Sequence, residues 1–436
     1  MAKQAHCFQS QSHGWSRELF NPLVLLNRKS FNPRVRLLEV ARLARSKRNS
    51  ACAKINDEKR VVGKKIVLIR TDDGKGPRIT KESKTLSRGG FRVIILAWDR
   101  KNALGALERN EEGVIIKRLK LLAPQNSIVI LPLLPIFILW SLAYLIAISP
   151  DVVHATDLDS AIPAYLYKQI ARRTPFVFDV FDRYAWRTAT LCNIRFLFET
   201  INLVEELLAS RADLFITVSM NLLATFCRFE LKRSIILYNV PRKEDIRNVL
   251  SQTPVEWKKG ELRIYTSHLT EETALLARSV RGLSDVRIIV TGNVFLDKSA
   301  ADCILHSSSV EYHGFLPYLD ALKIENTADV FALLYSPHSE ISRYRLSGNR
   351  FFEALLMNKL VLTNIWDPHI YERICPYIKI DYDEDSIRKA VQDLIKIKKT
   401  QGNLMENMPN SFRTKNMYYW EAMEQELVTA YKELIR

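Results

Sequence analysis

Arg350 and Glu353 stand three residues apart at the start of Arg350–Met357, a stretch that reads as a helix. That spacing puts both side chains on one face. Free amide N–H groups and the helix dipole favour an anion at such a start, and a guanidinium fork can hold two oxygens of a phosphate-type group at once. Read alone, the two residues are equally an ordinary i, i+3 surface pair. A second constellation is His154, Asp157 and Asp159, at the end of the apolar run Asp151–Ala155 and facing an expected cleft. Asp157 and Asp159 have the D-x-D form of a divalent-metal site, but so do Asp381 and Asp383, and the form is a common accident. A lone histidine such as His154 is also a common structural hydrogen-bonding group. Asp179 and Asp182 flank the next strand end with the same ambiguity. Six cysteines are scattered without metal-ligand or redox spacing, the pattern of free thiols in a reducing compartment, and eight histidines form no ligand cluster. No Ser/His or Cys/His arrangement offers a protein nucleophile.

The elements that must position these residues alternate. Short apolar runs at Lys65–Arg70, Arg92–Trp98, Asp151–Ala155, Pro175–Asp179, Asp213–Val218 and Ser234–Leu237 read as strands. Helical stretches fall between them at Arg78–Ser87, Ala161–Arg172, Phe196–Arg211 and Asn221–Arg228. Polarity rises from Arg242 to Glu261, which reads as a linker. A second alternation follows, with strands at Leu262–Tyr265, Val286–Val290, Val310–Tyr312, Val330–Leu334 and Leu360–Thr363, and a last helix from Lys415 to Ile435. Strand–helix–strand repetition is the signature of parallel, doubly wound sheets, which bind ligands outside the carboxyl ends of their strands. A chain of 436 residues is long enough for two such domains and a cleft between them.

Charge and hydropathy add a third theme. Residues 1–65 carry 15 Lys/Arg against 4 Asp/Glu, so +11 of the net charge of +16 sits in the leading segment. Arg34–Arg48 within it reads as an amphipathic helix, and an anionic membrane surface could attract it. A mobile tail is the plainer alternative, and the Arg-rich, acid-poor character also faintly resembles an organelle transit peptide. Leu121–Pro150 contains no charged residue. Pro132 and Pro135 set a helix start near Pro135, leaving ~21 Å to Ile148, short of a ~30 Å hydrocarbon core. A span would also separate two strands that belong in one sheet, so a buried or monotopic helix is favoured over a transmembrane one. The organised region lacks basic motifs interleaved with aromatics, which ranks nucleic acid low as a partner.

With these residues in view, the chain resembles the family 4 retaining glycosyltransferases. In the second half the resemblance lies in Val290–Asn293, the turn Gly314-Phe-Leu-Pro317, Ala328–Val330 and the segment Ser347–Val361. In the first half it lies in Pro77–Glu82, Gly90–Ile95, Asp151–Asp157, Phe178–Tyr184, Ala212–Ser219 and Asn239–Pro241, in the family's order. It covers residues 63–436. The resemblance implies a GT-B fold: two Rossmann-like doubly wound α/β domains facing a cleft, with a C-terminal helix crossing back. The implied boundaries are 1–62, a basic extension; 63–245, an acceptor domain; 246–410, a nucleotide-sugar donor domain; and 411–436, the crossover helix.

The resemblance also implies roles. Arg350 takes the place of the family's phosphate-binding Lys, Glu353 that of the Glu facing the ribose hydroxyls, and Gly292 that of the glycine closing the second donor strand. Asn349 belongs to the same donor segment. Asp157 aligns with the polar acceptor-site residue; His154 joins it as a catalytic candidate, and Gly76, Asp159 and Asp182 are acceptor-side candidates. The departures are specific. The loop Tyr265–Thr270 lacks the family's Arg and Lys, and Arg345 replaces the Glu expected eight residues before Glu353. Glu340 is the nearest upstream Glu, and Arg343 or Arg345 is the candidate for the missing charge. Gly74-Lys-Gly76 replaces a Gly-Gly pair. The expected activity is retaining transfer of a sugar from a nucleotide-diphosphate donor to an alcohol acceptor, a glycan or a lipid-linked precursor. It needs no cofactor or metal and takes place in the cytoplasm or on the cytoplasmic face of a membrane. The alternative is a degenerate binding or scaffold protein on the same fold, motivated by the altered phosphate loop.

Overall fold

The computed structural model describes residues 63–124, 128–186, 194–251, 260–337, 348–365, 377–402, 404–405 and 418–435. The leading segment 1–62 and the candidates Glu340, Arg343 and Arg345 lie outside the described residues.

The first sheet opens with β1 (Lys65–Ile69) and β2 (Arg92–Trp98), joined by α1 (Pro77–Arg88). Pro77 at the first helical turn suits a helix start, and Gly89 with Gly90, at φ +92°, stops it. A hairpin the sequence reading missed comes next: β3 (Leu107–Arg109) pairs antiparallel with β4 (Ile115–Leu119). Its turn signal is Asn110, which accepts from the amides of Gly113 and Val114 while Gly113 takes φ +78°. The chain continues through a 3-10 stretch Ile128–Leu133 into α2 (Leu134–Ile148), then β5 (Val152–Thr156), α3 (Asp157–Ile170), β6 (Phe176–Val180), α4 (Arg195–Arg211), β7 (Leu214–Thr217), α5 (Met220–Leu223) and β8 (Ser234–Ile236). The order β3-β4-β2-β1-β5-β6-β7-β8 is parallel apart from β3.

β5 pairs with β1 from Ile66↔Val152 to Ile69↔Ala155, so both ends of α2 are tied to one sheet and the helix lies on it. The expected helix Asn221–Arg228 is only the turn α5, capped by Ser219 and closed by Thr225 bonding back to Leu222. The polar stretch read as linker contains α6 (Lys243–Leu250), because Ile246 and Val249 give it a buried stripe.

The second half contributes β9 (Leu262–Leu269), α7 (Glu271–Ser279), β10 (Val286–Val294), α8 (Lys298–Leu305), β11 (Val310–Tyr312), α9 (Tyr318–Asn326), β12 (Val330–Leu333), α10 (Asn349–Leu356), β13 (Leu360–Thr363), β14 (Tyr377–Lys379), α11 (Glu384–Gln401) and α12 (Trp420–Leu434). Its strands pair in parallel in the order β11-β10-β9-β12-β13-β14. Asp383 caps α11 by accepting from the Ser386 amide, which gives the second D-x-D a structural use.

One continuous apolar core joins the halves: Ile66 and Leu86 of the first sheet layer connect with Tyr265, Phe331 and Phe351 of the second and with Trp420, Leu427 and Tyr431 of α12. α12 packs on α1. Trp420 Nε1 donates to Thr85 Oγ1 at 2.9 Å, and Thr85 donates to Glu424 at 2.9 Å. The fully buried Trp420 is the largest side chain in that seam. Trp420→Ala should therefore destabilise the chain by about 3–5 kcal/mol, read as a lowered denaturant midpoint. A change under about 1 kcal/mol would mean that α12 is dispensable to the fold.

Candidate functional site

Arg350 occupies the first turn of α10, whose N-cap position Gly348 supplies no side-chain cap. Its guanidinium is bound by two carboxylates: Glu353 on the same helix, at 3.0 Å, and Glu325 on α9, in a closer contact. Both acids are almost fully buried, whereas the arginine side chain keeps 28% of its exposure. Tyr265 of β9 donates to Glu325 at 3.1 Å and shares a 2.7 Å hydrogen bond with Thr291 of β10, the residue before Gly292. A polar chain thus runs from Thr291 through Tyr265 and Glu325 to Arg350 and Glu353. Burial, with the nearby Glu353 charge, pushes the Glu325 carboxyl up to about 8. Arg350 rises despite its burial, because two carboxylates favour its charged form. The side chain of Asn349 is oriented with its buried Oδ1 lacking a hydrogen-bond partner among the described residues.

Gly292 closes the strand end beside this chain, at φ +101°. A Cβ there would fall 2.4 Å from His268 Nδ1, so only glycine admits the imidazole. His268 itself has φ +66° and accepts from the Asn293 amide at 3.0 Å. Sequence reasoning passed over His268, Tyr265 and Glu325. Glu325 carried no motif, and it reaches the site only because α9 packs beside β10.

The other candidates gather at the carboxyl edge of the first sheet. Asp157 opens α3 in the left-handed region, φ +63°, a conformation that non-glycine residues adopt mostly where the surroundings enforce it. It accepts from the Phe181 amide at 3.3 Å. Asp159 is buried and accepts from Thr71 Oγ1 at 2.5 Å, which fixes the β1–α1 loop. Gly76 ends that loop, where a Cβ would lie 3.2 Å from Asp72. Asp182 is exposed after β6. Arg70, unnoticed in the sequence, stacks over Phe181 at 4.8 Å; burial opposes its charge, but Asp72 and Asp157 raise its pKa overall.

His154 does not face a cleft. It lies mid-strand in β5, fully buried, with Nδ1 2.5 Å from the Tyr431 hydroxyl. Strand alternation points it at α1 and α12 rather than along the strand end. Around it sit Glu82 and Asp179, whose ligand atoms with His154 Nε2 lie within 4.8 Å of one another. These three could hold a metal by type and spacing, but Arg78 already supplies a cation there, at 2.8 Å from Glu82 and 3.3 Å from Asp179. Burial and the Asp179 charge push Glu82 up to about 7, while Asp179, despite burial, is held below the usual range by Arg78 and His154.

Burial also pushes Glu205, the partner of Arg183 at 3.0 Å, up to about 7. In the folded chain Glu82, Glu205 and Glu325 thus keep protons that the unfolded chain releases near pH 4.3. Their contribution is complete below that pH and is lost as pH rises through about 7 to 8. The melting temperature should fall from about pH 4.3 to about 8, and Glu325→Gln should make that fall shallower throughout and remove most of it between pH 7 and 8. A flat wild-type profile would contradict the burial of these acids.

Residues 73–234 match the model of the glycosyl transferase 4-like domain. No curated protein sequence matches the chain. Among solved structures, sucrose-phosphate synthase from Thermosynechococcus elongatus superposes with a TM-score of 0.64 at 14% identity, over 85% of this chain and 99% of that one. Anabaena HepE, in complex with UDP and glucose, gives 0.57 at 13% identity, over 85% and 100%. An E. coli trehalose-6-phosphate protein bound with UDP-2-fluoro glucose gives 0.57 at 10% identity, over 85% and 99%. The fold is that of the GT-B glycosyltransferases, and residues 73–234 are similar to the glycosyl transferase 4-like domain.

Proposed function

We propose that this protein transfers a sugar from a nucleotide-diphosphate donor to an alcohol acceptor with retention of anomeric configuration. The observation that carries the reading is Arg350 at the uncapped start of α10, held by Glu353 and Glu325 and still partly exposed. The neighbours with UDP and UDP-sugar bound support a nucleotide-sugar ligand for a fold of this kind. As the bond to the sugar breaks, negative charge grows on the diphosphate, and a fixed cation with helix amides stabilises it. Glu325, raised to about 8, is mostly neutral at pH 7. Among the described residues Arg350 meets both acids through Nη1, which leaves its other N–H groups to grip phosphate. Glu353 lies one turn along, placed to accept from ribose hydroxyls. The acceptor hydroxyl would meet the donor at the carboxyl edge, near Asp157. Front-face attack coupled to diphosphate departure needs no protein nucleophile, so His154 serves the structure rather than the chemistry. In this reading the acceptor is a glycan or lipid-linked alcohol met at the cytoplasmic face of a membrane.

A second reading, a binder without transfer, is favoured by the end of β9, Thr266–Leu269, which has no Lys or Arg where the sequence reading expected a phosphate loop, and by the engagement of Arg350 with two acids. Turnover separates the two readings.

UDP, as the probe, should raise the melting temperature; at a hundredfold excess over its Kd the stabilisation is about 2.7 kcal/mol. Arg350→Ala should abolish most of that shift, and an equal shift in wild type and variant would refute the assignment. Glu353→Gln keeps the shape and removes the charge. Transfer should drop by about tenfold or more, with the fold intact. Full turnover in that variant would mean that the ribose-facing role lies elsewhere.

A further inference from the structure

α2, α3 and α4 cover one face of the first sheet, side by side. Their inner sides fill a core: Phe137, Leu145, Ala161, Ala164, Leu208 and Ala209 are buried there. Their outer sides are also apolar. Leu139 is 66% exposed, Ile170 63% and Phe196 81%, and Ile136, Ile146 and Leu203 are exposed with them. Water-facing helices normally carry charge on that side. An apolar surface running across three helices marks an interaction site.

The surroundings say which kind. Helices of a parallel sheet run against the strands, so α2, α3 and α4 end at the edge where β1 and β2 begin. At that edge a cavity of about 500 Å³ opens beside Ile148, the last residue of α2, and Lys65, Arg92, Arg109 and Lys117 line it. None of these four side chains is ion-paired among the described residues; Lys65 Nζ donates to the Ile148 carbonyl at 2.5 Å and Lys117 lies over the Tyr144 ring at 4.7 Å, while the one acid in the lining, Glu108, is held by Lys75 at 3.1 Å and Arg118 at 2.8 Å. Register explains the cluster. Lys65 pairs with Arg92 and Ile94 with Ile115, all on the face that α2 covers, and the missed hairpin brings in Arg109. Exposed Arg172, Arg173 and Arg211 follow the ends of α3 and α4 at the same edge. The basic leading segment, 13 Lys/Arg against 4 Asp/Glu in residues 1–62, precedes Lys65 in the chain.

We infer that this face docks on an anionic phospholipid bilayer. The outer rows of α2, α3 and α4 enter the interfacial layer, and Lys65, Arg92, Arg109 and Lys117, around a cavity walled mainly by apolar atoms, meet lipid phosphates. Apolar insertion and basic attraction are the two contributions that together give stable peripheral binding. The inference shares the membrane location of the functional reading and is independent of its donor chemistry.

The test uses the full chain with vesicles of phosphatidylcholine, alone or mixed with phosphatidylglycerol. Wild type should sediment with the mixed vesicles and not with the neutral ones. The double variant Arg92→Glu, Arg109→Glu should lose binding by about tenfold or more, and Leu139→Glu, Phe196→Glu should lose it as well. Both should keep the UDP-induced melting shift, which certifies their fold and separates this inference from the donor assignment. Wild type that ignores anionic vesicles, or binding that survives both double variants, would overturn the inference; the latter would place attachment in residues 1–62. A wild-type dimer that Leu139→Glu dissociates, with no vesicle binding, would overturn it in favour of a second copy on this face.

Discussion

The contact on which the architecture turns is the sealed polar knot of Arg78, Glu82, His154, Asp179 and Tyr431. All five side chains are at most 3% exposed, and they come from α1, β5, β6 and α12. Charges taken this far from water are tolerated only when each has a partner. Arg78 therefore answers both acids and also donates to the Leu237 carbonyl at 2.6 Å, after β8. One guanidinium thus reads out the positions of β6, β8 and α1 at once. His154 extends the knot to the last helix through the Tyr431 hydroxyl. Removing one member would strand a buried charge in the others, so the knot rejects misplaced arrangements more than it adds net stability.

Because α1 supplies Arg78 on one side and Thr85 on another, it is held between the sheet and α12. The next residue on α1, Lys81, donates to the Val240 carbonyl at 2.6 Å and lies over the Trp420 ring at 5.2 Å. Burial and Arg78 drive its pKa down to about 8, and Glu353 is the largest opposing influence. A residue of the first domain is thus electrostatically coupled to the candidate donor acid of the second. The same junction holds Phe352 of α10, stacked on Tyr418 and close to Tyr238. The angle at which α10 presents Arg350 is therefore set by packing that spans both sheets.

Much of this was legible in the sequence, and the reasons for the gaps are physical. Parallel strands such as Ile66–Ile69 and Phe176–Val180 are buried on both faces, so they appear as plain apolar runs. Arg350 and Glu353 were visible because a helix turn brings them together locally. Glu325 was invisible because it meets them across 25 positions of chain. His154 was misplaced for a related reason: a strand-end reading cannot foresee that Tyr431, 277 residues later, will cap it. The β3–β4 hairpin was missed because Leu107–Arg109 is short, half-exposed and charged, and takes its strand character from β4 alone.

The departures from the family pattern acquire a physical reading through Glu325. With Thr266–Leu269 uncharged, Arg350 is, among the described residues, the cation of the proposed donor site, and its largely covered guanidinium needs acid partners. Two acids meet that need, yet two ionised carboxylates would compete with phosphate for the fork. Burial resolves the conflict by raising Glu325 to about 8, so that near neutral pH its proton, rather than a second negative charge, occupies the pocket. In the proposed donor site, a diphosphate on Arg350 would bring more negative charge and raise the affinity of Glu325 for that proton further. The two bindings are linked, and donor affinity must then weaken as pH rises past the point where Glu325 ionises.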